Sequence, residues 1–313
     1  MKTAIVVLNY GGTALLARAL PSLVEAARAA RHPTIVHVLD NDNSEPNETW
    51  ARANFPGVTW ARAPRNLVLC SFNAYLAAID AEAAILLNND VAAEPGFVDP
   101  LIDVLASRED AFLVAPRILS EDGGTVQAGP TRARLRWGTY FSEGRWADPE
   151  IPATTFSSGM GAVRRDRFLA LGGYDGLFLP GICEDGDLGW RSWRAGWRSY
   201  YAPGSRLRHI GQASFHAAYG SRRTEVIAWR NGFLLLWKNL RDPLLWAQHL
   251  ALAPARVGAD LLRLRTAPIK GFLRALARLP AALHGRASAE PRQTRLADRG
   301  IFATAGDPVK APV

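Results

Sequence analysis

With 313 residues, 48% of them hydrophobic and 21% charged, the chain is large enough for one sizeable α/β domain plus an appendage, and its composition excludes a disordered or fibrous class. No apolar run approaches the ~20 residues of a membrane span, and two cysteines, Cys70 and Cys183, exclude a disulfide framework and a structural zinc site. The net charge of +8 would suit nucleic acid, an anionic membrane or a small anionic substrate. With no zinc-finger spacing and no aromatic RNA-binding signature, nucleic acid drops out.

Strand and helix signals alternate from the start. Ala4–Leu8 reads as a buried strand, Gly11 and Gly12 as a turn, and Thr13 as the cap of a helix to about Ala30. The amino-terminal apolar run is too short for a secretory signal, so a cytoplasmic protein is expected. Thr34–Leu39 is the next strand and ends in Asp40, Asn41, Asp42, Asn43 and Ser44. Val58–Trp60 makes a third strand, Ser71–Asp80 a helix, Ala83–Leu87 a central strand and Ala111–Val114 another. This alternation predicts an α/β fold with a mostly parallel central sheet flanked by helices.

The run Ala83–Leu87 stops abruptly at Asn88, Asn89 and Asp90. Ligands of open α/β sheets gather at the carboxyl ends of the strands, which makes Asp90 a candidate metal ligand. The plainer alternative is a cap for the helix near Pro95–Ala106. There is no G-x-G-x-x-G fingerprint and no P-loop, so a phosphate held here calls for a metal. Further on, Glu184, Asp185 and Asp187 open a helix that stops at Gly196. The helix dipole favours acids in a first turn, which suffices for Asp187 but accounts less well for three crowded carboxylates.

From Thr224 the pattern turns helical, with Leu, Trp and Phe between Arg and Lys, giving amphipathic helices with a basic face. Thr224–Leu240 suits packing on the core, whereas Ala253–Arg286 suits contact with an anionic membrane surface. Three regions are expected: 1–225, divisible into 1–120 and 121–225; a helical appendage over 226–287; and a loosely ordered tail over 288–313.

Seven segments in order carry a resemblance: VVLNYGG at 6–12, VLDNDNS at 38–44, LLNNDV at 86–91, SGMGAVRR at 158–165, GGYD at 172–175, EDGDLGWR at 184–191, and His209. Over roughly residues 3–240 the chain resembles the family 2 glycosyltransferases, inverting enzymes of the Rossmann-like GT-A fold, and especially rhamnosyltransferase-like proteins of bacterial polysaccharide synthesis. The resemblance implies a nucleotide-sugar half (1–120) and an acceptor half (121–225). Asp40 would contact the base or ribose, with Leu8, Tyr10, Asn66, Asn73, Asn88 and Asn89 also on the nucleotide-sugar side. Asp90 and His209 would hold Mn²⁺ or Mg²⁺, and Asp185 would be the catalytic base. Glu184, the backbone at Gly159, and Trp190 would face the acceptor; for Trp190, Trp193 and Trp197 the alternative is a packing face. For His209 the alternative is a strand-end bond to a carbonyl, and Cys183 is a pocket wall.

The implied donor is a dTDP, UDP or GDP sugar, and the acceptor a saccharide or lipid-linked glycan. The chain departs from the family at NLVLCSFNA, 66–74, where Leu67, Val68, Leu69 and Cys70 replace glycine-rich sequence. It lacks a Q-x-x-R-W motif, which disfavours a processive synthase. The rival readings are an inert glycan-binding or scaffold protein of the same fold, and a sugar-1-phosphate nucleotidyltransferase, whose glycine-rich loop followed by Lys is missing.

Overall fold

The computed structural model of the chain describes residues 1–42, 45–144, 149–210, 219–288 and 296–310. In the first half, β1 (Thr3–Asn9), α1 (Thr13–Ala29), β2 (Thr34–Asp40), α2 (Glu45–Asn54) and β3 (Thr59–Arg62) lead to α3 (Ser71–Ala78), β4 (Ala83–Asn88), β5 (Val91–Ala93), α4 (Val98–Ser107) and β6 (Ala111–Leu119). Then come β7 (Val126–Ala128), β8 (Thr131–Arg136), β9 (Thr139–Gly144), β10 (Ala153–Thr155), β11 (Gly161–Arg164), α5 (Arg165–Ala170), α6 (Glu184–Arg194) and β12 (Arg198–His209). Helices α7 (Ser221–Asn239), α8 (Pro243–Leu262), α9 (Thr266–Leu276), α10 (Leu279–Ser288) and α11 (Asp298–Thr304) complete the described chain.

Ten strands form one sheet whose main path is β10-β12-β6-β11-β4-β1-β2-β3, while β8 and β9 form a separate hairpin. Strands β1, β2, β3 and β4 are mutually parallel, and β12 is parallel to β6. Strand β11 is antiparallel to both β4 and β6, so β4 and β6 run the same way. The carboxyl ends of β1, β2, β4, β6 and β12 therefore share one edge. Buried side chains cover both faces: Ile5, Val7 and Leu87 belong to one apolar cluster, Ala4, Val6 and Leu86 to the other. Burial on both sides is why these strands read as continuous apolar runs.

Three expectations change. Thr13 is the first residue of α1, and Gly12 takes the cap position without a side-chain bond. The hairpin was not anticipated, although its sequence signal was present: Arg136 pairs with Thr139 across Trp137 and Gly138, whose φ values of 50° and 71° mark a two-residue turn. Residues 298–304 of the supposedly loose tail form a helix. Asp298 is 1% exposed, and its carboxylate accepts from Trp190 Nε1 at 2.9 Å and Arg194 at 2.6 Å.

Helix α6 is tied to α7 by a buried polar network. Asp187, with no exposed surface, meets Arg191 at 2.7 Å, Lys238 at 2.7 Å and Asn239 Nδ2 at 2.8 Å. Burial pushes this carboxyl up, but the Arg191 and Lys238 charges outweigh it and hold the group below the usual range. Lys238 also meets Asp175 at 2.6 Å, which joins the Gly172–Asp175 turn to the same network. That turn is tight: Gly173 has a φ of +68°, and a Cβ there would fall 2.3 Å from Asn73 Oδ1. Asp187→Ala would leave two buried cations short of their partner and should lower unfolding free energy by about 3–5 kcal/mol, measured by urea denaturation.

Candidate active site

The shared edge collects the polar strand ends. Asp40 closes β2 with no exposed surface, and its Oδ1 accepts from Asn9 Nδ2 at 2.8 Å. The less buried acid at this strand end is Asp42, whose Oδ2 accepts from the backbone N–H groups of Gly11 at 2.6 Å and Gly12 at 3.2 Å. Asn43 and Ser44 lie outside the described residues. Leu8 is buried beside Leu39 and Ala63, whereas Tyr10 is 56% exposed. Asn89 Nδ2 donates to Asn9 Oδ1 at 2.8 Å and to the Tyr10 carbonyl at 2.9 Å, linking the ends of β1 and β4. Asn88, partly exposed, ends β4 itself.

Asp90 and His209 are 119 residues apart in sequence and adjacent in space. Strand β5 runs antiparallel to β12 and pairs Val91 with His209, so the preceding carboxylate meets the imidazole: Asp90 Oδ2 lies 3.0 Å from His209 Nε2. His209 Nδ1 lies 3.0 Å from Gln127 Oε1. The Asp90 bond, partly opposed by burial, raises the imidazole pKa. Asp90 is 4% exposed, and its Oδ1 has no partner among the described residues. A buried carboxylate oxygen without a donor, next to an imidazole, fits a divalent cation. Two side chains do not complete a coordination shell, and among the described residues no third His, Cys, Asp or Glu joins them.

Glu184 and Asp185 start α6, and the backbone leading to them is strained: Ile182 and Cys183 have φ values of 71° and 74°. A clamp from α7 holds that approach. Asn231 Nδ2 lies 2.7 Å from each of the carbonyls of Phe178, Gly181 and Ile182, and the Arg230 guanidinium donates to the Leu179 carbonyl at 2.6 Å. Ser157 Oγ lies 3.3 Å from Asp185 Oδ2. Ser157 precedes β11 by four residues, and Gly161 of β11 pairs with Leu86 of β4. Asp185 is thereby tied to the end of the sheet that carries Asp90. Gly159, in the same loop, is partly exposed, and a Cβ there would meet nothing within 4 Å.

Both carboxyls are pushed upward by burial. Burial, and then the neighbouring Asp185 charge, lift Glu184 to about 8. Burial also raises Asp185, against hydrogen bonds from the Gly186 backbone and Ser157. With a value of about 8, Glu184 is largely protonated at neutral pH and can act as a neutral donor beside Asp185. Leu67, Val68, Leu69 and Cys70 line a narrow crevice with Phe178, Leu179 and Glu184, so the segment that departs from the glycine-rich pattern packs directly beside this pair.

Two expected contacts do not hold. Trp190 has no exposed surface and packs edge-on against Phe156 and Phe302, on the face of α6 turned to the core, where no acceptor reaches it. Asn73 spends its amide inside the protein, donating to the Tyr174 carbonyl at 2.8 Å and accepting from the Tyr174 N–H at 2.9 Å. Asn66 is exposed, and its Oδ1 accepts from the Val68 N–H at 2.9 Å to stabilise a turn. Ser157, Arg230 and Asn231 were not singled out from the sequence, because nothing in a lone Ser or an Arg-Asn pair announces its distant carbonyl or carboxylate partners. Asn231→Ala should leave the 178–182 carbonyls without their donor and lower stability by about 1–3 kcal/mol, read from the thermal midpoint and from faster amide exchange confined to 178–186.

No family model matches the chain. Over 233 residues, 66% of this chain and 75% of the other, it is 27% identical to an N-acetylglucosaminyl-diphospho-decaprenol L-rhamnosyltransferase of Mycobacterium tuberculosis. Among solved structures, the mannosyltransferase PcManGT from Pyrobaculum calidifontis, in complex with GDP-Man and Mn²⁺, is similar with a TM-score of 0.53 at 16% identity over 93% of this chain and 88% of that one. GalNAc-T7 with UDP, GalNAc and Mn²⁺ is similar with a TM-score of 0.59 at 15% identity over 76% of this chain, which spans 48% of the GalNAc-T7 chain.

Proposed function

We propose that this chain, which has the GT-A glycosyltransferase fold, is a metal-dependent inverting glycosyltransferase that moves a sugar from a nucleoside diphosphate to a saccharide or lipid-linked glycan in cell-surface polysaccharide synthesis. The observation that carries this reading is the Asp90–His209 contact with its orphaned carboxylate oxygen, on the sheet edge to which Ser157 ties Asp185. The relative's rhamnosyltransferase name and the nucleotide and Mn²⁺ contents of the structural neighbours support the same chemistry.

In the reaction, an acceptor hydroxyl attacks the anomeric carbon from the face opposite the diphosphate. The carbon–oxygen bond to the diphosphate breaks and its electron pair leaves with that group, while the hydroxyl proton passes to Asp185. Inversion follows from attack on the opposite face. Asp90 and His209 would hold a divalent cation, which when bound supplies positive charge opposite the departing diphosphate. The imidazole ligand favours Mn²⁺ over Mg²⁺. Tyr10, whose carbonyl accepts from Asn89, offers an exposed ring on the nucleotide side, and protonated Glu184 is placed to donate a hydrogen bond toward the acceptor.

The helical appendage has a second role in this reading. Leu262 is 88% exposed and Leu264 82% exposed, interleaved with Arg263 and Arg265, a combination that suits shallow docking on an anionic bilayer. Among the described residues no helix is long and apolar enough to cross a membrane. Helix α9 packs on α7 and buries Ala275, so truncation would damage the core. Substituting exposed leucines is the cleaner test, and Leu262→Asp with Leu264→Asp should reduce sedimentation with phosphatidylglycerol vesicles while the melting temperature stays near that of the unsubstituted chain.

Hydrolysis of dTDP-, UDP- and GDP-sugars with and without Mn²⁺ tests the activity. Metal-dependent turnover of one donor supports it, and no turnover of any supports an inert protein. Asp185→Asn should lower turnover ~10²–10⁴-fold with donor affinity retained; an unchanged rate would remove Asp185 as base. Because the base must be ionised and its pKa is raised, the rate should fall as pH drops while still above the ordinary carboxylate range. Glu184→Gln should erase any inflection near the Glu184 value of about 8.

A further inference from the structure

Beside the Glu184–Asp185 pair lies a groove of about 250 Å³ with walls from Tyr140, Phe141, Ile182, Trp229, Phe233 and Leu236. Its volume lies just below that of typical ligand pockets, which run roughly 300–1,000 Å³. Ile182 and Cys183, part of one wall, are the two residues immediately before the acidic pair. Trp229, Phe233 and Leu236 come from α7, and Tyr140 and Phe141 from β9. The Arg256 guanidinium, from α8, stands 6.0 Å from the Phe141 ring and 5.2 Å from the Trp229 ring, so a cation from the appendage spans two of the walls.

Two polar groups of the groove are already committed. Thr139 Oγ1 donates to the Arg136 carbonyl at 2.9 Å, and the Tyr140 hydroxyl bonds with the Ser142 side chain. A sugar ring placed here would lose water from its hydroxyls and gain few partners in return. An aliphatic chain has no such requirement. The groove also has unfilled depth at one point on α7: a Cβ built at Gly232, one of its lining residues, would meet nothing within 4 Å. Glycine in a helix interior costs roughly 1 kcal/mol relative to alanine, so its presence mid-α7 leaves space at a cost in local stability.

We propose that this groove binds the hydrocarbon segment next to the head group of a lipid-linked acceptor, an isoprenoid chain, and so sets the reacting sugar beside Asp185. The assignment rests on the transferase reading above. It deepens that reading by giving the acceptor an apolar anchor that a free saccharide lacks. The exposed Leu262 and Leu264 on the same appendage that supplies Arg256 place the groove on a unit suited to a bilayer surface, where such a chain would be presented.

The test is calorimetric titration of the full chain with farnesyl phosphate, with inorganic phosphate as the arm that detects anion binding alone. Farnesyl phosphate should bind, and Gly232→Leu, which fills the groove, should weaken it about tenfold or more with a melting temperature at or above that of the unsubstituted chain. Equal binding by Gly232→Leu, or farnesyl phosphate binding no tighter than inorganic phosphate, would overturn the assignment. A benzophenone-bearing farnesyl phosphate gives a readout independent of the variant. Crosslinks within 139–142, 182–183 or 228–236 support the groove, and crosslinks only elsewhere refute it. Donor hydrolysis on the same preparation separates the two failures: a chain that turns over donor but ignores farnesyl phosphate keeps its activity and loses the groove.

Discussion

The buried carboxylate of Asp187 is the interaction on which the rest of the molecule leans. Arg191 and Lys238 neutralise it, Asn239 adds a hydrogen bond, and through Lys238 it reaches Asp175 and the tight turn at Gly173. A buried charge network of this kind is weak evidence for net stability. Its effect here is positional. It fixes the first turn of α6 against α7, and that turn carries Glu184 and Asp185. Asp187, for which the helix dipole alone sufficed in the sequence, is the anchor for the two acids that precede it.

Helix α7 serves both sides of the site. Asn231 and Arg230 grip the carbonyls of 178–182 and keep Ile182 and Cys183 in a strained backbone conformation. Six residues beyond Asn231, Trp237 bonds His249 of α8 and begins the contact with the appendage. The appendage is therefore continuous with the part of the fold that carries Glu184 and Asp185: α9 and α10 pack on α7, and α11 locks to α6 through Asp298, Trp190 and Arg194. A bilayer contact at the exposed leucines and an aliphatic groove beside Asp185 would be joined through α8, which sets Arg256 against the groove walls and ends at Leu262.

The electrostatic design is a separation of like groups. Two adjacent carboxyls, both withdrawn from water, cannot ionise together at low cost. Glu184 is lifted to about 8, while hydrogen bonds from the Gly186 backbone and Ser157 oppose the rise at Asp185. At the neighbouring strand ends the opposite logic holds. Asp90 keeps an oxygen without a donor beside His209, an arrangement that would suit a cation.

Much of the molecule was legible in the chain itself. Apolar runs ending in polar clusters gave β1, β2 and β4 and the edge on which the candidate site sits, because burial on both faces is written locally. The pairing of Asp90 with His209 was reachable only through motif resemblance; the β5–β12 register made it a contact. Tertiary structure alone decided which polar residues look inward. Trp190 and Asn73 carry the same chemistry whether they meet a ligand or the protein's own Asp298 and Tyr174, and Asp40 beside Asp42 differs only in depth. Side-chain type states what a residue can bond, whereas its partner is set by contacts a hundred residues away, and that information is absent from any local window of sequence.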